Sequence, residues 1–267
     1  MIPPLLTFGI HDFLNASPLI LLLKEQGADV GFQIVTDSPA ALADRLESGH
    51  LDLAMIPSVE YFKSADKYLL IPNLCIASRG PVGTVLLLAK KPLNEINSIA
   101  VDFRSRTSVA ALKILFPFSS SLEIHPVPPD LNSMLAEHPA ALIIGDQGLT
   151  LNNLGPAITV YDLSQEWFKQ TGKTFVHAVV AVNQKISLNN AQKKIFQKVK
   201  VEGLNRIEEI IFAQRDLSIV GSGVLEDYLI NKIRYDLNSD AIDGLTHFSN
   251  LCCKHGIIQK KVSIKFV

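Results

Sequence analysis

The stretch Ser98–Phe116, SIAVDFRSRTSVAALKILF, decides how the 267-residue chain is read. Ile99-Ala100-Val101 is short, apolar and β-branched, bounded by polar residues, and reads as a buried strand. Val109–Leu115 carries apolar residues at helical spacing and reads as a helix packed on a sheet. Between them stand two guanidinium groups and a run of hydroxyls, Arg104-Ser105-Arg106-Thr107-Ser108. A helix that starts there points unpaired N–H groups and the positive end of its dipole at whatever lies above. The run therefore reads in one of two ways. It is a plain cap, with Ser105 or Thr107 closing the helix, or it is a seat for a carboxylate or phosphate.

Working outward, the N-terminal side alternates strand and helix. Leu5–Ile10 reads as a strand, Leu19–Glu25 as a helix after Pro18, and Val30–Val35 as a second strand. Asp37-Ser38-Pro39 opens a helix over 40–48 that Gly49 closes, and Leu51–Ile56 is a third strand. Leu69–Ile71 and Cys75–Ala77 are short apolar runs, and Thr84–Ala89 is a strong strand. On the C-terminal side a proline-rich connection (124–129) precedes a helix at 131–137 and a strand at 141–144. Val160–Leu163 then leads into a helix at 164–171, and a strand follows at 175–182. From Asn189 the pattern turns to amphipathic helices at 191–212, 223–233 and 239–255, with a last alternating segment at 262–266 that suits an edge strand. This order predicts an α/β chain made of two successive strand–helix units and a helical C-terminal part. No Gly/Ser-rich linker separates the units, so ordinary strands are expected to cross between two lobes.

Composition narrows the chemistry. The chain is 48% hydrophobic and 19% charged, with a net charge of -1 and no block of Lys and Arg. That balance argues against a nucleic-acid partner held by phosphate neutralisation. Three cysteines, two adjacent at Cys252 and Cys253, give neither a disulfide framework nor zinc spacing, so no metal is expected. The longest apolar run near the start, Leu19–Leu23, is too short to span a bilayer, and no basic leader precedes it. The expectations are a cytoplasmic chain and no membrane partner. No GxGxxG, GxxxxGK[ST] or GxSxG motif is present, which sets aside nucleotide and esterase chemistry.

In parallel α/β sheets ligands sit beyond the carboxyl ends of the strands. The polar residues that follow the expected strands are His11 and Asn15, Ser58 and Glu60, Ser78, the run Ser105, Arg106, Thr107 and Ser108, and Asp146. Most are small hydrogen-bonding groups, the composition of a pocket for a small polyanion. Each also has a plain role: Asn15 as a turn former, Ser58 as a helix cap, Asp146 as a turn residue. His177, inside an apolar strand, reads as a core histidine.

Several blocks together resemble one known family. They are FLNASPL (13–19), DSPAALADRLESGHLDLAMIPSVEYF (37–62), IASRGPVGTVLLLAKKPLNEI (76–96), VDFRSRTSVAALKIL (101–115), ALIIGD (141–146), and YDLSQEW with TGKTFVHAV (161–179). With the C-terminal EDYL, YDL and DGLTHFSNLCCKHGI they resemble the MqnA family, chorismate dehydratases of the futalosine route to menaquinone. The resemblance implies a two-lobed type II periplasmic-binding-protein fold with a ligand cleft between the lobes. Lobe 1 would hold residues 1–82 and 180–267, and lobe 2 residues 83–179. It implies a cytoplasmic lyase that converts chorismate to 3-[(1-carboxyvinyl)oxy]benzoate without cofactor, on a small-molecule substrate. By position, Asn15 and Ser78 take the catalytic places. His11, Ser58, Thr84, Ser105, Arg106, Thr107, Ser108 and Asp146 line the substrate.

The chain departs from the family at Thr84, where a Ser is usual, and at His177 and Val180, where Phe and Trp are common. Glu60, Asp146 and His11 are the candidate protein bases, and a carboxylate of the substrate itself is the alternative. Two other functions compete: a non-catalytic binding protein for a small organic anion, and the sister dihydroxynaphthoate synthase, whose Ser-Pro-Cys-Pro-Asn-Asp type motif is absent.

Overall fold

The computed structural model describes residues 5–116, 118, 122–151, 154–213 and 220–267. Eleven strands among the described residues form two sheets. The first has six: β1 (Leu6–Ile10), β2 (Phe32–Thr36), β3 (Leu53–Pro57), β4 (Tyr68–Ser78), β10 (Phe175–Asn183) and β11 (Ile233–Arg234), ordered β11-β4-β10-β3-β1-β2. The second has five: β5 (Val85–Ala89), β6 (Ser98–Asp102), β7 (Glu123–Val127), β8 (Ala140–Ile144) and β9 (Thr159–Asp162), ordered β7-β6-β8-β5-β9. The chain passes from one sheet to the other after Ser78 and returns before Phe175.

The parallel pairs β1–β2, β1–β3, β6–β7 and β6–β8 come from the strand–helix alternation. Parallel pairing needs a crossover, and the helices that supply it cover the sheet faces. Hence β3 and β8 are buried along their whole length, and they read in sequence as unbroken apolar runs. The two crossing strands β4 and β10 pair antiparallel with each other, and β10 also pairs antiparallel with β3.

Local chemistry sets the helix starts. Ser38 Oγ accepts from the Ala41 N–H at 3.3 Å, with Pro39 next, and α2 (Pro39–Glu47) follows. Asn189 and Gln192 form a reciprocal capping box for α7 (Asn190–Leu204). Helix α7 lies on α1 (Ser17–Gln26) so closely that a Cβ at Gly203 would strike the Pro18 carbonyl. Phe196 of α7 then completes an aromatic cluster with Phe8 and Phe32, with ring centroids 5.7 to 5.9 Å apart. The C-terminal helices are thereby packed on the sheet that carries β1.

Five segments differ from the sequence reading. The proline-rich connection is strand β7, tolerated at a sheet edge because Pro126 has no N–H to contribute to the ladder. The two apolar runs at 69–77 are one strand, β4, interrupted at Asn73, which has a φ of 57°. The long helix expected over 191–212 breaks at Asn205 into α7 and α8 (Ile207–Ala213). The helix expected over 223–233 is a short α9 (Ser222–Asp227), a π-turn at Tyr228–Lys232, and then β11. The last segment makes one bridge, Leu70 to Phe266, and no full strand among the described residues.

Candidate functional site

The carboxyl ends of β1, β3, β6 and β8 converge on a cleft between the two sheets, the place where α/β sheets bind ligands. Its lining includes His11, Phe13 and Asn15 after β1, Pro57 at the end of β3, and Val82 and Thr84 at the first crossing. Arg104 to Ser108 after β6, Gly145 after β8, and His177 on β10 also line it. Seven of the expected site residues share this hollow: His11, Asn15, Thr84, Ser105, Arg106, Thr107 and Ser108. Ser58, Ser78 and Asp146 lie outside its lining.

The central stretch builds the most polar wall. Ser105 precedes α4 (Arg106–Leu115) but does not cap it; its hydroxyl donates instead to the Asp102 carbonyl at 2.6 Å. Thr107 Oγ1 is likewise occupied, donating to the His177 carbonyl at 3.2 Å. The plain capping role expected of Ser105 or Thr107 is therefore not what these side chains do. The backbone N–H groups of Arg106, Thr107 and Ser108 meet no acceptor among the described residues. An uncapped first turn inside a cleft leaves donors and a positive dipole end for an anion.

The guanidinium groups beside it are tied down. Arg104 grips buried Asp102 through Nε and Nη2, at 2.9 and 2.7 Å, and stacks over the Phe13 ring 5.1 Å away. Arg106 forms a two-point pair with Asp44 of α2, 2.7 Å at each end, and reaches Glu60 at 3.5 Å. They contribute positive potential and orientation rather than loose charges.

On the facing wall two polar atoms are buried without partners: His11 Nδ1 and Asn15 Oδ1. Burial holds the His11 imidazole down at about 4, although nearby Asp12 opposes the shift, so the ring is neutral near pH 7. His177 is held at about 4 by burial as well. Its Nε2 meets Ser78 Oγ at 2.9 Å and Ser164 Oγ at 3.3 Å. Ser78 thus stands behind His177. Ser58 is fully buried and donates to the Val176 carbonyl at 2.7 Å. Asp146 accepts the Leu14 N–H with both oxygens at 3.1 Å, linking β8 to the loop that carries Asn15; burial raises its carboxyl to about 6. Gly145, at φ 80°, lets that turn pass beneath Phe13, where a Cβ would crowd the ring.

Two contributors were not singled out as site residues. His177 hid in an apolar strand, and the signal that could have exposed it is the pair of serines, Ser78 and Ser164, that neighbouring elements bring to its ring. Tyr228, fully buried in the π-turn, meets Thr84 Oγ1 at 3.1 Å and lies against Asn15. Nothing local in the sequence connects it to residues more than 140 positions earlier.

Known proteins share this architecture. A protein of Archaeoglobus fulgidus superposes with a TM-score of 0.78 at 15% identity, over 97% of this chain and 100% of its own. The periplasmic aliphatic sulphonate binding protein SsuA of Escherichia coli gives 0.64 at 14% identity, over 98% and 91%. At these identities the likeness speaks for the fold, the two-lobed arrangement of periplasmic binding proteins. A chorismate dehydratase of Thermus thermophilus is 28% identical over 256 residues, 90% of this chain and 93% of that protein. Because the family model described as menaquinone biosynthesis matches residues 6–254, the chain belongs to that menaquinone-biosynthesis family.

Proposed function

We propose that the chain is a cofactor-independent hydro-lyase that converts chorismate to 3-[(1-carboxyvinyl)oxy]benzoate and water, acting in the cytoplasm. One observation carries the reading: free N–H donors at the start of α4 share a cleft with Asn15 Oδ1, a buried acceptor that lacks a donor. The donors ask for a carboxylate, and the acceptor asks for a hydroxyl proton. Chorismate carries both, and it is the molecule named for the Thermus relative.

In this reading α4 holds one carboxylate while Asn15 orients the hydroxyl that leaves. A ring proton departs, the hydroxyl departs as hydroxide, the two become water, and the ring turns aromatic. Orientation and management of one proton are the enzyme's main tasks. Of the three candidate bases, Glu60 is engaged by Lys63 at 2.7 Å and by Arg106, and Asp146 by the Leu14 N–H. His11 alone of the three lines the cleft, with the substrate's own carboxylate as the rival base. The division into lobes at 82/83 and 179/180 belongs to the same proposal, with the cleft closing over the substrate.

The test is to mix the purified full chain with chorismate and follow the products by chromatography with absorbance detection. The expected result is loss of chorismate with growth of an aromatic product that needs no added cofactor. Binding without conversion would overturn the lyase reading in favour of a binding protein for small organic anions. Retained turnover in His11→Phe would assign the base to the substrate.

A further inference from the structure

His177 interrupts the apolar face of β10, with its ring edge-on to Phe175 at 4.9 Å and 87°. It lines the cleft, while Nε2 points at the hydroxyls of Ser78 and Ser164. Both serines are 1% exposed, and neither hydroxyl has another partner among the described residues. This fixes where the imidazole proton sits. If Nε2 carried it, the ring would donate to a serine oxygen, and both buried O–H protons would be left without an acceptor. If Nε2 is bare, its one lone pair accepts chiefly from Ser78, the nearer serine at 2.9 Å, and the neutral ring carries its proton on Nδ1. Buried donors without acceptors are strongly disfavoured, so the second tautomer is the stable one. Nδ1 bonds to no described residue.

We propose that His177 presents its Nδ1–H to the ligand as a neutral donor, and that Ser78 and Ser164 act on the ligand only through it, by fixing that tautomer. The atom so recognised is an acceptor oxygen, best the charged oxygen of a carboxylate; a group that can only donate at that place, such as an ammonium, is rejected. Ser78 is then a positioning residue. The proposal rests on the chorismate reading only where turnover is the readout.

Two experiments on the full chain test it. Nitrogen-15 NMR of the ligand-free protein, with the His177 signals identified by their loss in His177→Phe, is expected to show protonated Nδ1 and bare Nε2. A predominant Nε2–H would overturn the proposal, whether or not chorismate is the substrate. The second experiment is a double-mutant cycle on KM for chorismate. His177→Phe is expected to raise KM by about tenfold, the worth of one such hydrogen bond. His177→Asn, whose amide can donate from a similar position, should recover most of it. Ser78→Ala should raise KM about threefold in the parent and leave it unchanged in the His177→Phe background. An equal effect of Ser78→Ala in both backgrounds would mean that the serine touches the substrate itself. A parent chain that leaves chorismate unchanged defeats the lyase reading, and the NMR result still decides this one.

Discussion

Helices α4 and α6 (Leu163–Thr171) both follow a strand of the second sheet, yet their first turns are built in opposite ways. At α6, Asp162 Oδ1 accepts the N–H groups of Ser164 and Gln165, while Oδ2 takes those of Val82 and Gly83 at 2.8 and 2.6 Å. One carboxylate caps the helix and pins the segment that crosses between the sheets. At α4 the corresponding place is Ser105, whose hydroxyl turns away, and the first three N–H groups of the helix stay open. The difference teaches how to tell a structural helix end from a functional one. Where the chain supplies its own anion, the dipole is spent on stability; where it withholds one inside a cleft, the dipole is kept for a ligand.

Giving α4 its own carboxylate is the most direct way to break this contrast. Ser105→Asp is expected to lower kcat/KM for chorismate about a thousandfold, roughly 4 kcal/mol, because the new charge fills and repels the anion seat. The melting temperature should stay within a few degrees, since Asp is a favoured cap. Unchanged turnover in a folded variant would remove α4 from the site.

The pH dependence of stability sharpens the comparison from the facing wall. An unfolded histidine takes a proton below about 6.5, whereas His11 in the folded chain resists down to about 4. The folded state therefore binds fewer protons in that window, and stability, complete above it, falls as the pH drops. The loss contributed by His11 reaches about 3 kcal/mol. Asp146 works the other way, because its raised carboxyl takes a proton in the fold before it would in the open chain. Urea titrations from pH 7 to 4 should show a shallower decline in His11→Phe than in the parent. Parallel declines would mean that the ring is not held neutral.

The smallest effect concerns the closed helix end. Asp162→Ala is expected to destabilise the chain by about 2 kcal/mol in urea denaturation, through the lost cap and the freed crossing segment. Its effect on KM should be minor. A large rise in KM with unchanged stability would reverse the roles assigned to α4 and α6.

Much of this was legible in the sequence, for physical reasons. Strands buried on both faces read as plain apolar runs, and helix starts announce themselves through Ser38-Pro39 or Asp162. The alternation up to Ile56 and the strands at 84–89, 99–101 and 141–144 were therefore readable. The hydroxyl run at 105–108 was visible because it sits where a strand hands over to a helix. What escaped depended on partners distant in sequence. Strand β7 is set by pairing at a sheet edge that local propensity does not encode, and β4 survives an interruption at Asn73 because β10 holds both halves. The direction of the Ser105 hydroxyl follows from the Asp102 carbonyl beneath it, which no spacing rule predicts. His177 looks like any core histidine until Ser78 and Ser164 arrive from other elements, and Tyr228 reaches Asn15 only through the C-terminal return.

The bond from Leu14 N–H to Asp146 has a mechanical consequence. Asn15, the acceptor assigned to the ligand hydroxyl, sits one residue from the bolt that fastens one half of the molecule to the other. A movement that drew this bolt would carry the acceptor with it, so opening the cleft and disarming the site would be one event.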